Sequence, residues 1–361
     1  MYNTAVLKIL ATIIIFLIAL WYAALPAFVV LSLIPQIPRP PLALMTPAPV
    51  VSTILAGSLA MDRYQTGGRP RRADLIIFPA ANEKGKDDER LQRLAQIFAR
   101  SGLRVWVPTL NNVNRKKFHP RVLEEMETVI TFVKQQQPKL PLKIMSFSIA
   151  VGPELIVAAR ENISSNLDLI VAMGGYFDLE NVIAFHTTGQ GQDPFGIWLL
   201  ARYYAQFLPP NDAAIFYELA DRKWQDLSAN ISDLKTKLGS EGQAALALLL
   251  NTDPARVPEL IAKLPRELKD FLAVFDPKPH LSRLQAPILL LHSRQDRIIP
   301  FEESKKLFAA LKQQNKKAQI LELRVFDHVN PILPKPTLRN LFTLYLPEFW
   351  RLYQAAWKII Y

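Results

Sequence analysis

The chain has 361 residues, 50% of them hydrophobic and 21% charged, with a formal charge of +11. That length holds one large or two ordinary domains, and the composition is that of a globular protein with an added apolar segment. The lack of cysteine excludes disulfides, thiol catalysis and cysteine-ligated metal. Basic residues are scattered except for Arg69, Arg71 and Arg72, and no zinc-finger, helix-turn-helix or RNA-recognition pattern accompanies them. A basic surface facing solvent or anionic headgroups is expected, and no nucleic-acid partner.

From Ile9 to Ile34 no residue is charged and almost all are apolar. As a helix this run extends roughly 39 Å at about 1.5 Å per residue, enough to cross a hydrocarbon core of about 30 Å with tilt. Residues 1–34 are therefore read as an uncleaved, single-pass transmembrane anchor. A cleaved signal peptide is the competing reading. Lys8 before the span and Arg39 behind it slightly favour an extracytoplasmic position for the rest of the chain. Residues 35–49 hold six prolines and read as a stiff, extended spacer. The globular part, residues 50–361, starts near Val50, and residues 50–73 fit strand or helix equally.

From Asp74 the pattern alternates. Strands are predicted at Leu75–Phe78, Leu103–Pro108, Leu142–Met145 and Leu167–Met173. Helices fall between them, one opened by Asp87 and Asp88 with Leu91, Leu94, Ala95 and Phe98 on one face, the next from Pro120 to before Pro138. Such alternation means an α/β fold, a mostly parallel sheet flanked by helices. It breaks at about residues 179–283, a long helical stretch whose clearest pieces are Ile197–Phe207, Ala213–Leu227 and Glu241–Leu250. An insertion of this size between sheet strands reads as a cap over a site. The sheet resumes at Ala286–His292, followed by a helix from Phe301 to Gln314 and a strand at Gln319–Val325. The last segment, Leu338–Tyr361, carries an aromatic stripe at helical spacing that is expected to pack against the sheet.

Three stretches carry chemistry. In Ser146-Phe-Ser148-Ile-Ala150 small residues two apart join a strand to a helix, the context of a nucleophile elbow with Ser148 at its tip. Asp296 follows the strand Ala286–His292, and His328 follows the last predicted strand. Loops at the carboxyl ends of parallel strands share one edge, where ligand sites form. There a histidine can take the serine proton during attack and return it to a leaving group, while a carboxylate fixes the imidazole tautomer. The backbone amides of Ile149 and of Ala80 or Ala81 are the natural oxyanion donors.

With this order of Ser148, Asp296 and His328, and with Ala286-Pro-Ile-Leu-Leu-Leu-His-Ser-Arg-Gln-Asp-Arg-Ile-Ile-Pro300, the chain resembles the α/β-hydrolases of the esterase, lipase and serine-aminopeptidase-like group. The resemblance runs from about Asp74 to Tyr345 and implies an acid at Asp296 and a base at His328. The chain departs from the family pattern at Phe78-Pro79-Ala80-Ala81, at Ser146 and Ala150, and at Ser293. The resemblance implies a serine hydrolase acting on an ester, thioester or amide, with a hydrophobic or lipid-like acyl substrate hinted by cap and anchor. A silent fold used as a scaffold, or an acyltransferase, are the alternatives.

Asp178 stands as a second candidate acid, and His186, where the cap begins, as a pocket residue. Ser146 reads as a small filler, Asp327 as turned away from the site, His292 as structural, and His119 and His280 as loop residues. The five histidines show no metal-ligand spacing, and no cofactor is expected. The oligomeric state is not legible in the sequence.

Overall fold

The computed structural model describes residues 4–37, 39–68, 71–114, 117–189 and 196–361; in the N-terminal helix the side chains are described at 12–13 and from 20 onward. Eight strands form one sheet: β1 (Val50–Ala56), β2 (Leu59–Gln65), β3 (Asp74–Ile77), β4 (Arg104–Pro108), β5 (Leu142–Phe147), β6 (Leu169–Met173), β7 (Ile288–Ser293) and β8 (Ala318–Leu323). Their spatial order is β1-β2-β4-β3-β5-β6-β7-β8, with β4 and β3 to β8 parallel and β1 and β2 antiparallel at one edge. The ambiguous residues 50–73 thus contain a hairpin, turned at Gly57 with φ +61°. A short hairpin, β9 (Phe326–Asp327) and β10 (Asn330–Pro331), follows β8.

Every residue of β3, β4, β6 and β7 is buried, as expected of strands covered on both faces. Side chains alternate between two cores because successive residues of a strand point to opposite faces. Ile144, Ile170, Ala172 and Leu290 pack with the helices Val122–Gln136, Val151–Ala158 and Phe301–Gln313 and with the cap. Met145, Met173, Leu291 and Leu323 face the helix Glu89–Arg100 and the C-terminal helix Leu346–Ile360. At the far end of the sheet from the loops that carry Ser148 and Asp296, buried Asp74 accepts hydrogen bonds from Arg104 Nη2 (2.6 Å) and Trp106 Nε1 (2.9 Å).

Several expectations hold closely. Asp88 is the N-cap of Glu89–Arg100, accepting from the Arg90 amide, and Gly102 (φ +98°) lies just beyond its end. The insertion is helical, with Gly196–Ala205, Pro210–Gln225 and Ser240–Leu249 near their expected positions and with Leu179–Thr187 and Arg266–Val274 besides.

Three expectations are corrected. Ile9–Ile34 lies largely within a helix, Thr4–Leu33, but its second half is docked on the protein. Leu25 and Val29 are fully buried, packing in one core with Ala355, Ala356, Ile359 and Ile360 of the C-terminal helix. Arg72 lies against the rings of both Tyr22 and Tyr361, which stack on each other at 5.2 Å, and Arg93 donates to the carbonyls of Ser32 and Ile34. Among the described residues no helix is long and apolar enough to cross a membrane; of Thr4–Leu33 that set holds the side chains of residues 12–13 and 20–33.

The proline-rich stretch, expected to be an extended spacer, is instead strapped down. Pro40 and Pro41 sit where a helix tolerates proline, before and at its first residue, so Pro41–Met45 turns helical and fully buries Leu42. Arg100 then holds the carbonyl of Pro47 at 2.9 Å. The C-terminal aromatic stripe, expected to be core, is divided: Phe342, Trp350 and Trp357 are 66%, 58% and 40% exposed, while Phe349 and Tyr353 are half-buried against the core. The buried apolar positions of that helix, Ala355, Ala356, Ile359 and Ile360, are aliphatic, which lets it lie close to the sheet and to the N-terminal helix.

Candidate active site

Ser148 follows β5 directly and has φ +56°, in the left-handed region that costs a non-glycine residue about 1–2 kcal/mol. This is the strained elbow expected from the sequence, and the close packing it needs is met by glycines at other positions. A Cβ on Gly152 would overlap the Tyr176 hydroxyl group, and one on Gly175 would overlap Val151. Ser146, the expected filler, donates its Oγ hydrogen to Glu154 Oε2 at 2.6 Å, both residues being fully buried. Burial pushes the Glu154 carboxyl well above its usual range against the pull of that bond, and its second oxygen has no hydrogen-bond partner among the described residues. Nothing in the sequence pointed to Glu154, since a glutamate three residues past a helix start is an ordinary first-turn residue.

His328 is the first residue of the two-residue loop between β9 and β10 and has φ +54°. Its Nδ1 bonds Asp296 Oδ2 at 2.7 Å. The other oxygen of Asp296 accepts the amides of Ile298 and Ile299, each at 2.8 Å. His292, read as structural, completes the shell: its Nδ1 faces Ser304 Oγ, and its Nε2 faces the Ile299 carbonyl (2.9 Å) and Asp296 Oδ2 (3.2 Å). Nε2 facing a carbonyl must carry the proton, so the neutral tautomer with Nδ1 as acceptor fits. Burial opposes ionisation of Asp296, but the hydrogen bonds from His292 and His328 outweigh it and hold its pKa well below the usual carboxylate range.

The sheet brings these groups together. Phe147 and Met173 are partners across β5 and β6, so Ser148 and Gly174 leave the sheet side by side, about 4.8 Å apart in the spacing of neighbouring strands. A Cβ on Gly174 would stand 3.4 Å from Nδ1 and Cε1 of His328, which puts the imidazole over the strand next to the serine. Among the described residues Ser148 Oγ makes no hydrogen bond to His328, and such bonds often tighten only with substrate present. Ile149 is the second residue of the single turn Ser148–Ala150, where an amide has no partner within the turn. Ala80 and Ala81 lie in the loop after β3, in which Asn82 donates to the Ala80 carbonyl at 2.8 Å.

The other candidates fall elsewhere. Asp178 caps the helix Leu179–Thr187 and pairs with Lys278 at 2.7 Å, so it is not the acid facing His328. His186 is buried in that helix against Gly196, inside the cap. Asp327 pairs with Arg297, away from His328. No cluster of histidine, aspartate and glutamate suited to a metal occurs among the described residues.

An apolar cavity of about 470 Å³ opens beside the site on the sheet face away from the cap helices. Its floor is Met145, Met173, Leu291 and Leu323, and Ala80, Phe147 and Val329 line it next to the catalytic loops. This cavity is not legible in the sequence, because there the N-terminal helix that walls it reads as lying wholly in a membrane.

A family model for serine aminopeptidases, S33, matches residues 116–324, more than half of the chain, a span that includes Ser148 and Asp296 and ends before His328. Among solved structures, an esterase from Pyrobaculum calidifontis is 14% identical with a TM-score of 0.50, covering 94% of this chain and 90% of that one. An acylaminoacyl peptidase from Pyrococcus horikoshii is 13% identical with a TM-score of 0.49 over 86% of this chain; the chain spans 41% of that enzyme's length. No curated protein sequence is significantly similar to this one. At 14% identity the likeness to the esterase speaks to the fold alone, and it agrees with the sheet order and family match. The chain belongs to the S33 serine aminopeptidase family, and is a serine hydrolase of the α/β-hydrolase fold.

Proposed function

We propose that the protein is a membrane-anchored serine hydrolase that cleaves an ester, thioester or amide of a hydrophobic acyl group through an acyl-Ser148 intermediate. Ser148 Oγ attacks the acyl carbonyl and passes its proton to Nε2 of His328, which returns it to the leaving group as the carbon–heteroatom bond breaks. Water then repeats the sequence, giving the free acid and restoring the serine. Asp296, ionised and held by four donors, keeps the His328 proton on Nδ1 and so frees Nε2 to accept. The Ile149 amide and that of Ala80 or Ala81 receive the oxyanion.

The observation that carries this reading is the shared strain. Ser148 and His328 are two of the three non-glycine residues with positive φ among the described residues, and the second is bonded to a buried aspartate. Strain of that kind is retained where geometry matters more than stability. The scaffold alternative gives no reason for keeping it.

Membrane attachment is supported by the apolar first part of Thr4–Leu33 and by the outward-facing Phe342, Trp350 and Trp357. Residues 4–20 extend roughly 25 Å at about 1.5 Å per residue, enough to enter the hydrocarbon region. The aromatic face suits the headgroup level. The charge bias around the helix favours an extracytoplasmic catalytic domain. Full-length protein in mild detergent is expected to hydrolyse a p-nitrophenyl ester, with loss of turnover in His328→Gln. Retained turnover in that variant would refute the catalytic assignment. Release of the protein from membranes by an alkaline carbonate wash would refute the anchor.

A further inference from the structure

We infer that the cavity walled by the N-terminal and C-terminal helices is the binding site for the substrate's acyl chain, so that the anchor segment builds part of the specificity pocket. This deepens the proposed function and rests on it. Three observations converge. The cavity is apolar along its depth: Val29 and Leu33 come from the N-terminal helix, Leu94 and Phe98 from Glu89–Arg100, and Ala355 and Ala356 from the C-terminal helix. Its volume of about 470 Å³ falls within the range of roughly 300–1,000 Å³ typical of small-molecule sites. Its inner end is formed by Phe147, Ala80 and Val329, which adjoin Ser148, the expected oxyanion loop and His328 in sequence.

A carbonyl held at Ser148 therefore has an apolar space beside it on the sheet face away from the cap helices. The charged groups lie at its rim and each has a hydrogen-bond partner: Asp88 binds Arg90 at 2.6 Å, Glu89 pairs with Lys84 at 3.2 Å, and Arg93 donates to the carbonyl of Ile34 at 2.8 Å. An unbranched alkyl chain needs only apolar walls, which is what the site provides. The small residues Ala355 and Ala356 keep it open where two helices meet, and larger side chains there would fill it.

The test is a chain-length series of p-nitrophenyl esters, butyryl to octanoyl, on the full chain in a detergent with no acyl ester bond. Each methylene that enters the cavity is expected to raise kcat/KM about fourfold until the space is full. In Ala356→Phe and in Leu352→Trp, the latter at a half-buried position, the octanoyl-to-butyryl ratio is expected to fall at least tenfold. An unchanged ratio in whichever variant retains the wild-type melting transition overturns the assignment, while continued hydrolysis leaves the catalytic reading standing. If folded wild type hydrolyses no ester, the catalytic reading has failed. The cavity is then tested by equilibrium binding of a dansyl-labelled fatty acid: weaker binding in the filled variants supports an acyl site, and equal binding overturns it.

Discussion

Glu154 sits directly behind the nucleophile strand, fully buried, with one oxygen bonded to Ser146 and the other without a partner among the described residues. Glu154→Gln keeps the shape and an acceptor for Ser146 while removing the ionisable proton. Below about pH 4.5 the acid is protonated in both folded and unfolded chains, and its titration contributes nothing to stability. Above that value the unfolded chain ionises while the folded carboxyl, with its pKa raised by burial, stays protonated. The folded state then binds more protons, so stability falls as pH rises, by about 1.4 kcal/mol per pH unit until the folded pKa is reached. From pH 5 up to the folded pKa the variant should gain about 1.4 kcal/mol per pH unit on the wild type. With an unfolding entropy of about 2.1 cal/mol/K per residue, that is about 2 °C in Tm per pH unit for a domain of this size. Calorimetry of both proteins across pH 5–8 measures the difference. A gap that does not change with pH would mean that Glu154 is ionised in the folded protein, and the reasoning would fail.

Other substitutions separate chemistry from support. Asp296→Asn should lower kcat by about 10⁴-fold with little change in KM, because an amide no longer fixes the proton on Nδ1 of His328; steady-state kinetics decides, and a mild loss would argue for another acid. Gly174→Ala should cost about 1–2 kcal/mol of stability from φ +63° and a larger share of activity, since relief of that strain shifts the backbone against which the His328 imidazole packs, 3.4 Å from the new methyl group. Paired denaturation and rate measurements would show whether activity falls further than stability. Asp74→Ala, at the opposite end of the sheet, strands a buried Arg104 and should destabilise by about 3–5 kcal/mol. Urea titration reads that loss, and activity per folded molecule should stay near wild type.

Much of this architecture was legible because its causes are local. The apolar runs of β3 to β8, the Asp88 cap and the 3.6-residue pattern of Glu89–Arg100 fix strands and helices from neighbouring residues alone. The order Ser148, Asp296, His328 was legible for the same reason, each residue falling just past a recognisable strand. What stayed hidden depends on partners far away in the chain. Residues 21–33 look like a membrane span, since a helix docked on Ala355 and Ile359 needs the same apolar surface as one in lipid. The C-terminal aromatics look like core because periodicity marks a stripe without saying which side of the helix meets the protein. Lys143, the one charge in the elbow strand, gave no hint that it donates to the carbonyl of Ile359 at 2.9 Å, closing the last turn of the C-terminal helix.

The central claim is that Ser148 is an activated nucleophile, and labelling of the full-length chain by a fluorophosphonate tests it most directly. The account predicts covalent labelling of wild type at Ser148, found by peptide mass, and none in Ser148→Ala. Labelling at another serine, or none in a folded wild-type protein, would contradict it.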